Sequence, residues 1–199
     1  MISRMFLPRR RLPAALGLVA VLAACASKDP LLYTIAPIDG ATQTHAPRIV
    51  LLESVDIPRY LDRAQIVRSS EDYRLDLKTD DWWGEPLGAM LRRVLQQELG
   101  QRLPASVVLS ETGSVNASPD ATIDVSLQRL DEDTSGNVVL QAQTSVLFKG
   151  AKQPVLRNFR LTAPAATPAN TPGAAGEVAA ISTPVGQLAD GLAAMLAAR

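Results

Sequence analysis

Few residues of this chain could do chemistry, and each can be weighed by its surroundings. Cys25 is the only cysteine and His45 the only histidine among 199 residues. A histidine activates a nucleophile only when serine and carboxylate partners meet it inside a folded body. His45 stands in a stretch of prolines, threonines and small residues ahead of the first strand-like run, so it reads as a solvated linker residue. The acidic run "DEDTSGN" (131–137) lacks the distal glutamate that closes a calcium loop, and reads as a hairpin tip. The carboxylate pairs Asp80-Asp81 and Asp131-Glu132 are adjacent in sequence, so they cannot flank a substrate as an acid–base pair. "TPGAAGE" has no lysine partner and does not make a phosphate loop. No catalytic set, cofactor site or metal site is expected.

Cys25 is different, because its chemistry is acylation. Arg4, Arg9, Arg10 and Arg11 form a positive leader, and an apolar run from Leu12 to Ala24 follows, broken by Pro13. This is a secretory signal peptide, too short to anchor the chain by itself. It ends in Leu22-Ala23-Ala24-Cys25, the pattern of a bacterial lipobox, in which the cysteine thiol takes a diacylglycerol before cleavage at its amino side. Covalent lipid on Cys25 would then be the only attached group, leaving no thiol for a disulfide, a nucleophile or a metal. Ala26 is not the aspartate that retains lipoproteins in the inner membrane of enteric bacteria, so the expected location is the periplasmic face of the outer membrane. Stable anchoring needs more than one acyl chain, at about 0.8 kcal/mol per buried methylene, and a lipobox cysteine supplies them.

The full chain has 20 basic and 20 acidic residues. Four arginines and no acid leave with residues 1–24, so 16 basic residues face 20 acidic ones in the mature form. A net charge of about −4 argues against a nucleic-acid partner, which calls for a basic face.

The expected organisation is a signal peptide (1–24), a lipid-anchored flexible tether (25–47) and one domain (48–199). Within the tether only "LLYTIAP" (31–37) looks like a short strand. Arg48–Ile57 opens with four consecutive apolar residues and reads as a strand buried on both faces. Residues 65–69 and 73–77 read as a hairpin, with Tyr73, Leu75 and Leu77 on its buried side. From Leu87 to about Leu103, Leu87, Met90, Leu91, Val94 and Leu95 recur at helical spacing, and Pro104 stops the helix. Val107–Leu109 is a short strand. Three alternating segments, 121–127, 140–148 and 155–161, make an antiparallel meander with one solvated face. Residues 162–177 are Ala/Pro/Thr-rich and read as a flexible loop. Val178, Ile181, Val185, Leu188, Leu192 and Leu196 mark a last amphipathic helix, broken or restarted near Pro184. The fold class is α+β: a mixed sheet of about five to seven strands with two helices on one face.

Two groups of residues are candidates for a partner surface. Arg59, Arg63 and Arg68 alternate with Tyr60 and Asp62 in "IPRYLDRAQIVRSS", and Arg and Tyr are favoured interface anchors. The same run also reads as a solvated connection with local ion pairs. Trp82 and Trp83, the only tryptophans, precede Pro86, which disfavours helical geometry at Glu85. Both are expected in the approach to the helix, one packed under it against the sheet and the other partly exposed to a partner.

The run "VDIPRYLDRAQIVRSSEDYRLDLKTDDWWGEPLGAMLRRVLQQELGQRLP", preceded by a lipobox and "YTIAP", resembles the PqiC/YmbA family of ABC-transport auxiliary lipoproteins. The likeness is most specific over residues 55–104. The doubled tryptophan, the long Ala/Pro loop and Pro184 depart from it. The resemblance implies a non-enzymatic lipoprotein on the outer membrane, facing the periplasm. It also implies a partner: an MCE-domain periplasmic tunnel protein that carries lipid between the membranes. Two alternatives stay open: a lipid carrier that holds phospholipid in its own acyl-binding cavity, and a structural envelope lipoprotein. Assembly into a homo-oligomer is also open.

Overall fold

The computed structural model describes residues 29–71, 73–111, 117–165 and 173–198. The expected signal peptide and lipobox, Cys25 included, lie outside the described residues, as do 112–116 and 166–172 of the two expected loops.

Among the described residues, eight strands and two helices follow in the order β1 (Leu31–Tyr33), β2 (Ile49–Asp56), β3 (Gln65–Ser69), β4 (Asp76–Trp83), α1 (Leu87–Arg102), β5 (Val107–Ser110), β6 (Ala121–Glu132), β7 (Asn137–Phe148), β8 (Val155–Pro164) and α2 (Ala175–Ala197). The class is the expected α+β, with one strand more than the upper count.

One mixed sheet holds all eight strands. Its order is β1-β4-β3-β6-β2-β5, with β7 on the other edge of β6 and β8 beyond β7. Strand β6 is the hub. Its first half pairs in parallel with β2, from Val50↔Ala121 to Asp56↔Ser126, while its far end meets β3 at Ser69↔Glu132. Its opposite edge carries the antiparallel meander β6-β7-β8 over its whole length.

Strand β2 buries one face only. Val50, Leu52 and Val55 are core, whereas Ile49 and Leu51 are half-buried. A register shift between Leu52 and Ser54 explains why the buried set skips from 52 to 55. The hairpin β3–β4 is also displaced from its expected position. Tyr73 has a positive φ of 60° and is fully exposed, and β4 starts only at Asp76. It then runs through both tryptophans, which are strand residues rather than a helix approach.

Helix α1 starts one residue after Pro86, whose fixed φ of −52° closes the turn, and it ends with the Leu103 N–H bonded to the Leu99 carbonyl at 2.9 Å. Its stripe continues past the expected residues to Glu98, Leu99 and Arg102, all buried. Helix α2 is continuous through Pro184. Val178 and Ile181 before the proline and Val185 and Leu188 after it are all core. Packing on both sides outweighs the roughly 3 kcal/mol that an interior proline costs a helix.

The segment expected as tether is tied down from Leu31 onward. β1 pairs in parallel with β4, and Ile35 is 1% exposed. The Ile38 N–H donates to Glu98 Oε1 at 2.8 Å, and the Gln43 N–H to the Arg102 carbonyl at 2.7 Å. The expected loop at 162–177 is likewise shortened at both ends, by β8 running to Pro164 and α2 starting at Ala175.

Candidate functional site

The turn from Pro58 to Arg63 follows β2 and is held by backbone bonds from Leu61 to Pro58 (2.9 Å) and from Asp62 to Arg59 (3.3 Å), with Leu61 buried beneath it. Arg59 is left exposed. Tyr60 is half-buried, and its hydroxyl donates to Asp131 Oδ2 at 2.8 Å. Burial, then that carboxylate, hold the Tyr60 hydroxyl above its ordinary range and therefore protonated. Arg63 turns back to donate to the Tyr60 carbonyl at 2.8 Å.

Asp131, 1% exposed, is the centre of this corner. It also accepts from Ser70 at 2.7 Å and from Arg129 at 2.7 Å, and Arg129 reaches Glu71 at 2.6 Å. The network joins the 58–71 segment to the end of β6. Tyr60 is thus a structural tie, and the expected alternation of basic anchors resolves into local pairs. Arg68 is exposed and bonded to Asp76, with its Nε donating at 2.7 Å.

Two separate cavities share the candidate residues. Arg63 and Trp83 line one of about 380 Å³ together with Asp62, Gly84 and Pro86. Arg68 lines another of about 580 Å³ with Glu71, Arg74, Asp76 and Glu132. Trp83 is 7% exposed and belongs to the core. Trp82, one residue earlier, points the other way. It is half-buried, and its Nε1–H donates to the Thr79 carbonyl at 2.9 Å.

Sequence reasoning did not find a second polar centre, between the helices. Arg102 is wholly buried and donates to Asp190 Oδ1 at 2.5 Å and to the carbonyls of Ile38 (3.0 Å), Glu98 (3.2 Å) and Gly186 (3.1 Å). Gly40 passes so close that a Cβ there would overlap the Arg102 guanidinium and the Asp190 carboxylate. The signal was present: Glu98 and Arg102 continue the helical spacing of Leu91, Val94 and Leu95 on the apolar stripe.

Two glutamates are buried with incomplete partners. Glu98 Oε2 has no hydrogen-bond partner among the described residues, and burial pushes the Glu98 pKa up to about 7 against the pull of the Ile38 N–H and Arg102. Glu177, at the start of α2, is also raised to about 7, by burial and then by Glu132. Lys78, 3.4 Å away, opposes the shift. Between the ordinary glutamate value of 4.5 and about 7, the folded protein therefore holds protons that the unfolded chain releases. Stability contributed by these groups is full below about pH 4.5, is lost as pH rises through about 7, and then levels off. The melting temperature should accordingly fall from pH 5.5 to pH 8. Glu98→Gln together with Glu177→Gln should raise it at pH 8 and flatten the dependence. An unchanged slope in that double variant would show that other groups set it.

No group of three or more His, Cys, Asp or Glu fit to hold a metal occurs among the described residues, and no described helix is long and apolar enough to cross a membrane. His45 bonds only to the exposed Thr44 hydroxyl, at 3.0 Å.

The chain is 27% identical over 145 residues to the intermembrane transport lipoprotein PqiC of Escherichia coli, covering 70% of this chain and 75% of that protein. A crystal structure of an uncharacterised protein superposes with a TM-score of 0.68 at 21% identity, covering 84% of this chain and 99% of the other. The protein XCC0632 of Xanthomonas campestris superposes with a TM-score of 0.65 at 14% identity, over 86% of this chain and 95% of its own. At those identities the two structures establish the fold alone. The sequence model of the ABC-type transport auxiliary lipoprotein component matches residues 32–193, nearly the whole described body, and the chain belongs to that family.

Proposed function

We propose that this protein is a non-enzymatic docking subunit of an MCE-type intermembrane lipid-transport system, anchored to the outer membrane by lipid on Cys25 and facing the periplasm. The observation that carries the reading is the family match over residues 32–193 on a chain whose leader ends in a lipobox. The likeness to an intermembrane transport lipoprotein supports it. The body packs as a scaffold, and its buried polar residues tie segments together.

The carrier alternative needs an apolar cavity between sheet and helices. In this structure that layer is occupied by Val50, Leu52, Met90, Val94, Leu95 and Ile123, each essentially without exposure. Native mass spectrometry of the soluble Cys25→Ser form should therefore show protein without phospholipid.

Mild crosslinking of intact envelopes, followed by capture of the full-length lipidated protein, should recover an MCE-domain protein. Capture without one would overturn the docking role. Cys25→Ser should move the protein from the membrane pellet to the soluble periplasmic fraction. A variant that stays in the pellet would overturn the lipid anchor.

A further inference from the structure

Strand β8 is an unusual edge. It is 10 residues long, and among the described residues it pairs only with β7, from Val146↔Val155 to Asn137↔Pro164. The sheet's other outer strands, β1 and β5, have 3 and 4 residues. A long unpaired edge presents a row of backbone N–H and C=O groups that can accept another strand.

The side chains at its start are apolar and in water: Val155 is 50% and Leu156 73% exposed. With Phe148, Ala151, Ala194 and Met195 they line an open groove of about 750 Å³ at the end of α2. The charge there has one sign. Between Asp133 and Glu177 the chain carries Lys149, Lys152, Arg157 and Arg160 and no acidic residue, although the mature protein is acidic as a whole.

The position of the groove excludes the simplest occupant. β1 lies beside the start of α2, where the Ala174 N–H donates to the Tyr33 hydroxyl at 3.1 Å. The groove lies at the other end of this 23-residue helix, about 34 Å away at 1.5 Å per residue. Five residues lie between Cys25 and Leu31, so the two are at most about 20 Å apart when the chain is extended. The groove at the start of β8 therefore lies beyond the reach of the anchor segment, at the end of α2 remote from β1. A lipid surface could not satisfy strand-edge amides, and a second β8 would bring like charges together.

We infer that the outer edge of β8, with the apolar groove at its start, receives an extended segment of the transport partner, one that alternates apolar and acidic residues and adds to the sheet as a strand. This inference rests on the docking role proposed above and gives that role a place and a chemistry. The main chain of the segment bonds β8, its apolar side chains enter the groove beside Val155 and Met195 on the α2 side, and its carboxylates meet Arg160 on the opposite side and Lys152 in the turn before β8.

A photo-reactive residue placed at Leu156 of the full-length lipidated protein in intact envelopes tests this, with matched positions at Trp82 and Val107. The MCE protein should crosslink from 156 and not from Val107. Residues 155–164 should gain protection from amide exchange in the complex. Lys149→Glu, Lys152→Glu and Arg160→Glu together should weaken binding at least tenfold at low salt and much less at high salt, with an unchanged melting temperature. If the MCE protein is captured but crosslinks only from Trp82, or if position 156 crosslinks to lipid or to a second copy of this chain, the strip is wrong while the docking role stands. If no MCE protein is captured by any route, both fall.

Discussion

Arg102→Ala should destabilise the fold by about 3–5 kcal/mol, the range for removing one partner from a buried, hydrogen-bonded charge network. The reason is the number of elements that meet at this guanidinium. It joins α1, which carries it, to α2 through Asp190 and Gly186, and to the incoming segment through Ile38. Truncation leaves carbonyls without donors, each worth about 1–3 kcal/mol when buried, and opens a cavity beside Gly40. The ion pair itself is the smaller part, because the Asp190 side chain is half exposed. Asp190→Asn should therefore cost no more than about 1 kcal/mol. Urea denaturation of both variants checks the split. Equal losses would mean that the charge pair dominates, and a loss below 1 kcal/mol for Arg102→Ala would mean that the segment at 36–43 is not held by this residue.

Trp83→Ala should cost about 3–5 kcal/mol, as expected for deleting a large aromatic from a packed core. Trp83 is 7% exposed in β4, where its backbone N–H donates to the Ala64 carbonyl at 2.8 Å, and its side chain belongs to the core. Trp82→Ala should cost about 1 kcal/mol or less, since its half-buried ring holds only the Thr79 carbonyl through its indole N–H. Thermal melts of the two variants should differ by about 4 °C or more, given that about 1 kcal/mol moves the midpoint of a domain this size by roughly 2–4 °C. Similar melts would contradict the opposite orientations that the strand gives them.

The two tryptophans show how far a sequence can be read. Their opposite fates follow from adjacency, and either an extended approach or a strand delivers that. The sequence did not say which, because β4 is completed by β1, a partner about 50 residues away pairing through Leu31↔Asp81. The candidate surface fared differently. Arg59 and Arg68 are exposed, but Tyr60 is committed to Asp131, 71 residues on. A tyrosine in an arginine-rich run looks the same whether its hydroxyl meets a partner protein or a buried carboxylate.

The sequence by itself determined what depends on neighbours along the chain. The period of 3.6 over Leu87–Leu99 made α1, with Pro86 and Pro104 bounding it, and the period of two over 121–161 made the meander. The motif around residues 55–104 was enough to name the family. The tertiary structure alone decided what depends on distant partners: that 31–47 is folded in, which groups the Arg102 guanidinium meets, and that α2 runs through Pro184. In each case the local preference is weak or contrary, and packing or hydrogen bonds from far along the chain supply the larger free energy. The partners of Arg102 are the clearest instance. Nothing in its neighbours shows that an arginine on a helix will meet three carbonyls and a carboxylate, because those acceptors come from three separate segments of the fold.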